Sequence, residues 1–204
     1  IGRRFGLIED EIRVLVAAGT AAGFAAAYGT PLAALLFVAE VVTGSTSLKI
    51  LMPCALATVA ATALSRFFVG AAPLYGLHAF DISDPLQLVL CVVLGVVAGV
   101  VGAGFMWLLT ASAAGFAKLP GPTFVRAGIG GGVAGLIAIG LPGVAGNGYE
   151  TIHQVLDVGG VTTILLMLAV GKAIATSASV GGGTPGGVFT PALFLGAVTG
   201  RVLA

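Results

Sequence analysis

Charge is what this sequence has least of. Asp, Glu, Lys and Arg make up 8% of its 204 residues, against about 25% in ordinary soluble domains. So few charges cannot cover the apolar surface that the rest of the chain would expose, which excludes an ordinary soluble fold. Cysteine and histidine are scarce too, at two each. Cys54 and Cys91 sit inside apolar segments and read as small buried residues, not as a disulfide framework. His78 and His153 stand alone, without an HExxH pattern or a Cys/His cluster, so no metal site and no cofactor are expected. The net charge is +1, which gives nucleic acid or any other polyanion nothing to bind. The chain opens Ile-Gly-Arg-Arg, shows no signal-peptide pattern and ends inside an apolar stretch, as expected of a piece that starts and stops within a larger membrane domain.

What the sequence does have is long uncharged runs. No charged side chain occurs from Val14 to Ala39, from Pro85 to Ala117, from Ala127 to Tyr149 or from Ala173 to Gly200. A helix needs roughly 20 apolar residues to cross the hydrocarbon core, so these runs predict an all-α, polytopic integral membrane protein of the cell membrane, with the lipid bilayer as its solvent. Tyr28-Gly29-Thr30-Pro31 interrupts the first run. Gly29 suits a helix C-cap, Thr30 an N-cap and Pro31 a first helical position. Two short helices, Val14–Tyr28 and Pro31–Thr43, are therefore expected, after an interfacial charged stretch over residues 1–13. Interrupted hydrophobic segments of this kind point to transporter folds with broken helices. Further helices are expected at Leu48–Phe68, Pro85–Phe116 (one tilted helix or two), Phe124–Leu141, Val161–Ser177 and Pro191–Ala204. A polar loop over residues 69–84 and a short amphipathic piece at Gly148–Asp157 lie between them.

Glycines recur four apart at Gly19/Gly23, Gly95/Gly99, Gly128/Gly132, Gly131/Gly135 and Gly196/Gly200. In a chain with 33 glycines such pairs arise by chance, so each reads as helix packing. The informative stretch is Ser179-Val-Gly-Gly-Gly-Thr-Pro-Gly-Gly-Val-Phe-Thr-Pro-Ala-Leu-Phe194. A glycine-rich run at membrane depth leads directly into a helix that Pro191 would open. The amides of Val188, Phe189 and Thr190 would then lie at the positive end of the helix dipole, where an anion can be held without a buried cation. The alternatives are a hinge or a close-packing turn. A phosphate-binding P-loop lacks its Gly-Lys-Ser/Thr ending here. A serine protease centred on Ser177 or Ser179 lacks Gly-x-Ser-x-Gly and a facing histidine, so no enzyme is expected.

Gly187-Val-Phe-Thr-Pro191 resembles the G-x-F-x-P motif of CLC-type chloride channels and chloride/proton antiporters, and Gly183-Thr-Pro-Gly186 resembles that family's lead-in. The alanine-rich pair of short helices from Gly19 to Glu40, Lys172 at a position commonly Lys or Arg, and Gly146-Asn-Gly-Tyr-Glu-Thr-Ile152 are similar to the same family in the same order. The resemblance implies a homodimer in the full-length protein, with one anion pathway per subunit and chloride or a similar small anion as the bound and transported ion. It implies anion binding at Gly187, Val188 and Phe189, with Thr190 and Pro191 starting the helix at the site. Lys172 would lie toward an outer mouth and raise local anion concentration. The helices Pro31–Thr43 and Leu48–Phe68 would contribute to the dimer interface.

The family's G-S-G-I-P-like segment and its gating-glutamate segment do not occur in these residues. None of Tyr28, Tyr75 and Tyr149 matches its late tyrosine, so the piece alone is not expected to conduct. Many antiporters of the family carry two adjacent acids at the end of the second short helix, the second serving proton transfer. Here Glu40 is followed by Val41. That favours a channel over an antiporter and leaves Glu40 as either a proton-linked acid or, the preferred reading, a structural one held by backbone amides or a basic partner. A non-conducting membrane subunit is the remaining alternative.

Overall fold

A computed structural model describes residues 6–70, 75 and 85–203. Arg3, Arg4, His78, Asp81 and Asp84 lie outside the described residues. Every regular element within them is helical, and four helices are long and apolar enough to cross a membrane. The chain is an all-α polytopic membrane protein, as its composition predicts. It divides into two compact units, within residues 1–78 and 79–204.

The first unit holds α1 (Glu9–Tyr28), α2 (Pro31–Phe37) with a π-helical turn (Val38–Val42) continuing it, and α3 (Leu48–Phe68). α1 starts earlier than expected, inside the charged stretch, because that stretch suits a helix start. Glu9, Asp10 and Glu11 occupy the first turn, where the dipole favours acids, and the Glu11 carboxylate accepts the Ile8 N–H at 3.0 Å. The break falls where the sequence places it, with Gly29 left-handed at φ 67° and Pro31 opening α2. α1 and α3 meet through Ala17, Ala21 and Ala25 on one side and Cys54, Thr58 and Thr62 on the other. These are small residues four apart, the spacing that lets helix backbones approach. The Gly19/Gly23 pair does not serve this contact, since a Cβ at either would meet open space.

The second unit holds α4 (Pro85–Ala117), α5 (Thr123–Gly140), a 3₁₀ turn (Pro142–Val144), α6 (Tyr149–Asp157), α7 (Thr162–Gly181) and α8 (Phe189–Leu203). α4 is one continuous helix of 33 residues, about 50 Å long. α7 is the centre of the unit, packed against α4, α5 and α8. It runs four residues past the expected Ser177, so the glycine run begins inside it. Gly130 of α5 faces the Ala178 carbonyl and Gly182, and the Ser112 hydroxyl of α4 donates to the Ser177 carbonyl at 2.6 Å. The pairs Gly95/Gly99, Gly128/Gly132, Gly131/Gly135 and Gly196/Gly200 again meet open space. Close approach is carried by Gly130, Gly171, Gly181 and Gly182, which no spacing rule selects.

Candidate functional site

The segment between α7 and α8 is built in three steps. At the end of α7 the Thr184 N–H donates to the Ser179 carbonyl at 3.1 Å and the Gly183 N–H to the Val180 carbonyl at 3.0 Å. With Gly183 at φ +93°, this is a Schellman cap, in which a left-handed residue turns the chain back over the last carbonyls. Gly181 and Gly182 lie under Ser112–Ala113 and the Arg126 carbonyl, so they are glycines for closeness. Gly187 has neither need, because its φ is not positive and nothing lies within 4 Å of an added Cβ.

α8 then begins two residues before Pro191. Its first intrahelical bond runs from the Ala192 N–H to the Val188 carbonyl at 3.0 Å, which makes Val188 the cap and puts Pro191 third in the helix. Proline carries no N–H. The N–H groups at the helix start are therefore those of Val188, Phe189 and Thr190, at the positive end of the helix dipole.

A cavity of about 480 Å³ opens beside this start. Gly187 lines it from just before α8, Thr190 and Pro191 from α8, Lys172 and Ser179 from α7, and Asn147 from the connection before α6. The structure thus brings Gly187, Thr190, Pro191 and Lys172 together across long sequence separations. Val188 and Phe189 do not line the cavity; Val188 is exposed and Phe189 half-buried. The wall holds hydroxyl, amide and one ammonium group but no carboxylate, so its fixed charge is positive and its remaining polar groups are neutral.

Lys172 is 3% exposed. Its Nζ donates to the Val144 carbonyl at 2.9 Å and the Gly146 carbonyl at 2.7 Å, and lies 5.6 Å from the centroid of the Phe194 ring. Glu40 belongs to the other compact unit. It is exposed on the π turn. The Thr43 hydroxyl bonds that turn, donating to the carbonyls of Val38 and Ala39 at 3.2 and 3.1 Å.

The sequence gives no site role to Asn147, Val144, Gly146 or Phe194. Only the Gly146-Asn-Gly motif hinted at them, because carbonyl acceptors carry no residue-type signal. Ser177, which the sequence offers only as a candidate protease serine, has a hydroxyl that is buried and without a hydrogen-bond partner among the described residues.

A sequence model of the family described as voltage gated chloride channel matches residues 1–204. Among curated proteins, the voltage-gated ClC-type chloride channel ClcB of Citrobacter koseri is 36% identical over 195 residues, covering 95% of this chain and 47% of the relative. The protein of that name from Salmonella typhimurium is 36% identical over 196 residues, covering 96% of this chain and 47% of the relative. The chain spans about half the length of the curated relatives it matches.

Proposed function

The chain belongs to the voltage-gated chloride channel family, and from that premise we propose that it forms part of a transmembrane pathway for chloride or a similar small anion. The observation that carries this reading is the cavity at the start of α8. It sets the Thr190 and Ser179 hydroxyls, the Asn147 side-chain amide and the buried Lys172 ammonium around one space with no carboxylate, beside the positive end of the α8 dipole, in a helix bundle apolar enough to lie in lipid. Amide and hydroxyl dipoles attract an anion yet let it leave, which conduction requires. The relatives are named as chloride channels, and we extend that activity to this protein as a channel, with Val41 in place of a second acid beside Glu40. An enzymatic role has less support. The Ser177 hydroxyl has no base positioned on it among the described residues.

The proposal includes the homodimer that the resemblance implies. Leu48, Met52, Leu56 and Val59 give α3 an exposed apolar stripe suited to a second copy or to lipid. Subunit counting by single-molecule photobleaching in liposomes tests it, and predominantly single bleaching steps would refute the dimer. The anion reading is tested by chloride flux and calorimetric chloride binding on the full-length protein carrying Thr190→Val or Gly187→Val. Both changes should weaken binding and flux. Native values for both would remove the cavity from the pathway.

A further inference from the structure

A buried ammonium is costly unless its protons are taken up. The acceptors that Lys172 uses are not acids but two carbonyls, of Val144 and Gly146, lying 28 and 26 residues upstream. Val144 ends the 3₁₀ turn and Gly146 lies in the connection from it to α6, and both line one side of the cavity. The same stretch is pressed against α8. Gly148, at φ +78°, comes so close to Phe194 that an added Cβ would lie 2.8 Å from the ring's Cδ2. Phe194 is fully buried, with the Lys172 nitrogen 5.6 Å from its ring centroid. One side chain thus ties α7, the connection and α8 into a single node.

We propose that Lys172 is a positioning residue: its ammonium clasps residues 144–146 onto α7 and α8 and so fixes one wall of the cavity at the start of α8. This differs from a charge at a mouth that concentrates anions at long range. A long-range field is screened by salt, with a Debye length of about 10 Å at 0.1 M and about 3 Å at 1 M. A clasp made of one buried and one partly buried hydrogen bond has no such salt dependence. The functional consequence rests on the anion reading of the cavity; the clasp itself does not.

The test uses the full-length protein in lipid nanodiscs and liposomes, with Lys172→Met, Lys172→Gln and Lys172→Arg. Hydrogen exchange over residues 142–148 reads the clasp directly, because the amides of Val144 and Ala145 are protected there by bonds to Leu141 and Pro142. Lys172→Met removes every donor and should speed exchange in this stretch by roughly tenfold or more, the scale of losing a hydrogen bond from a charged donor. Lys172→Arg should stay near native. Lys172→Gln keeps N–H donors without charge and should stay closer to native than Lys172→Met, which keeps the question open to refutation if the Met protein does not fold. Chloride flux should fall with the rise in exchange, equally at low and high salt.

Native exchange in Lys172→Met overturns the clasp. A Lys172→Gln protein with native exchange whose flux falls at low salt and recovers at high salt overturns the positioning role instead, because flux then follows the charge and not the clasp. Faster exchange with native flux upholds the clasp and removes the cavity from the anion pathway instead.

Discussion

Gly183 and Gly187 stand four residues apart in one glycine-rich run, yet substitutions at them should fail in different ways. Gly183 is left-handed at φ +93°, a conformation that costs a residue with a Cβ about 1–2 kcal/mol. Gly183→Ala should therefore lower thermal stability by about that amount, read as a drop in melting temperature in detergent. Gly187 has ordinary φ and open space around it, so Gly187→Val should leave stability within about 0.5 kcal/mol. Its methyls would enter the cavity of about 480 Å³, so flux should fall while the protein stays folded. If Gly187→Val melts early, the residue serves the backbone and not the cavity. The sequence shows only that glycines are concentrated here. The division into close approach, left-handed cap and cavity wall depends on φ and on neighbours far along the chain, and residue letters carry neither.

Helix boundaries were legible wherever local chemistry sets them. The Gly29-Thr30-Pro31 break, the ends of α3 and the extent of α4 follow from caps and from apolar runs, whereas the run without charge left open whether α4 was one helix or two. The start of α1 was legible in principle, since three acids in a row favour an N-terminal turn, but their charge was read as interfacial instead. The start of α8 was misplaced by two residues because proline fits any position of a first turn, not only its first. The π turn was not legible at all. It is held by Thr43 reaching back to the carbonyls of Val38 and Ala39, and a threonine after an apolar helix reads equally well as a loop. Thr43→Val should cost about 1 kcal/mol of stability by removing those bonds. Unchanged melting would show that the turn does not depend on them. Small-residue spacing also misled, because every periodic glycine pair faced open space while the crossing of α5 and α7 uses Gly130 and Gly182. Gly130→Val should drive a side chain into the Ala178 carbonyl, where only backbone can yield, at a cost of about 1–3 kcal/mol. Gly131→Ala, one residue away and in open space, should be nearly silent in the same melting experiment.

Whether anion movement is coupled to protons is a property of the whole protein, and residues 40 and 41 bear on it. A proton crossing an apolar region needs titratable groups close enough to hand it on, and ionisable residues inside membrane segments are few because each is costly. The π turn offers one such group, the exposed Glu40, followed by Val41, which is 65% exposed and cannot bind a proton. No charged residue stands in the runs that precede and follow the site, from Ala127 to Tyr149 and from Ala173 to Gly200. Lys172 holds its protons against carbonyl groups, which makes it a poor relay. With the carboxylate count reduced by one at the position that serves proton transfer in many antiporters of this family, chloride movement should run without stoichiometric proton movement. The measurement is a pH electrode on a suspension of liposomes containing the full-length protein, with an outward or inward chloride gradient imposed and a potassium ionophore setting the voltage. A channel gives chloride flux with no uphill proton uptake at any imposed voltage, and Glu40→Gln leaves that flux without proton uptake. Uphill proton movement that scales with chloride efflux would make the protein an antiporter. If Glu40→Gln then abolished it, Glu40 alone would carry the relay that the family commonly divides between two acids.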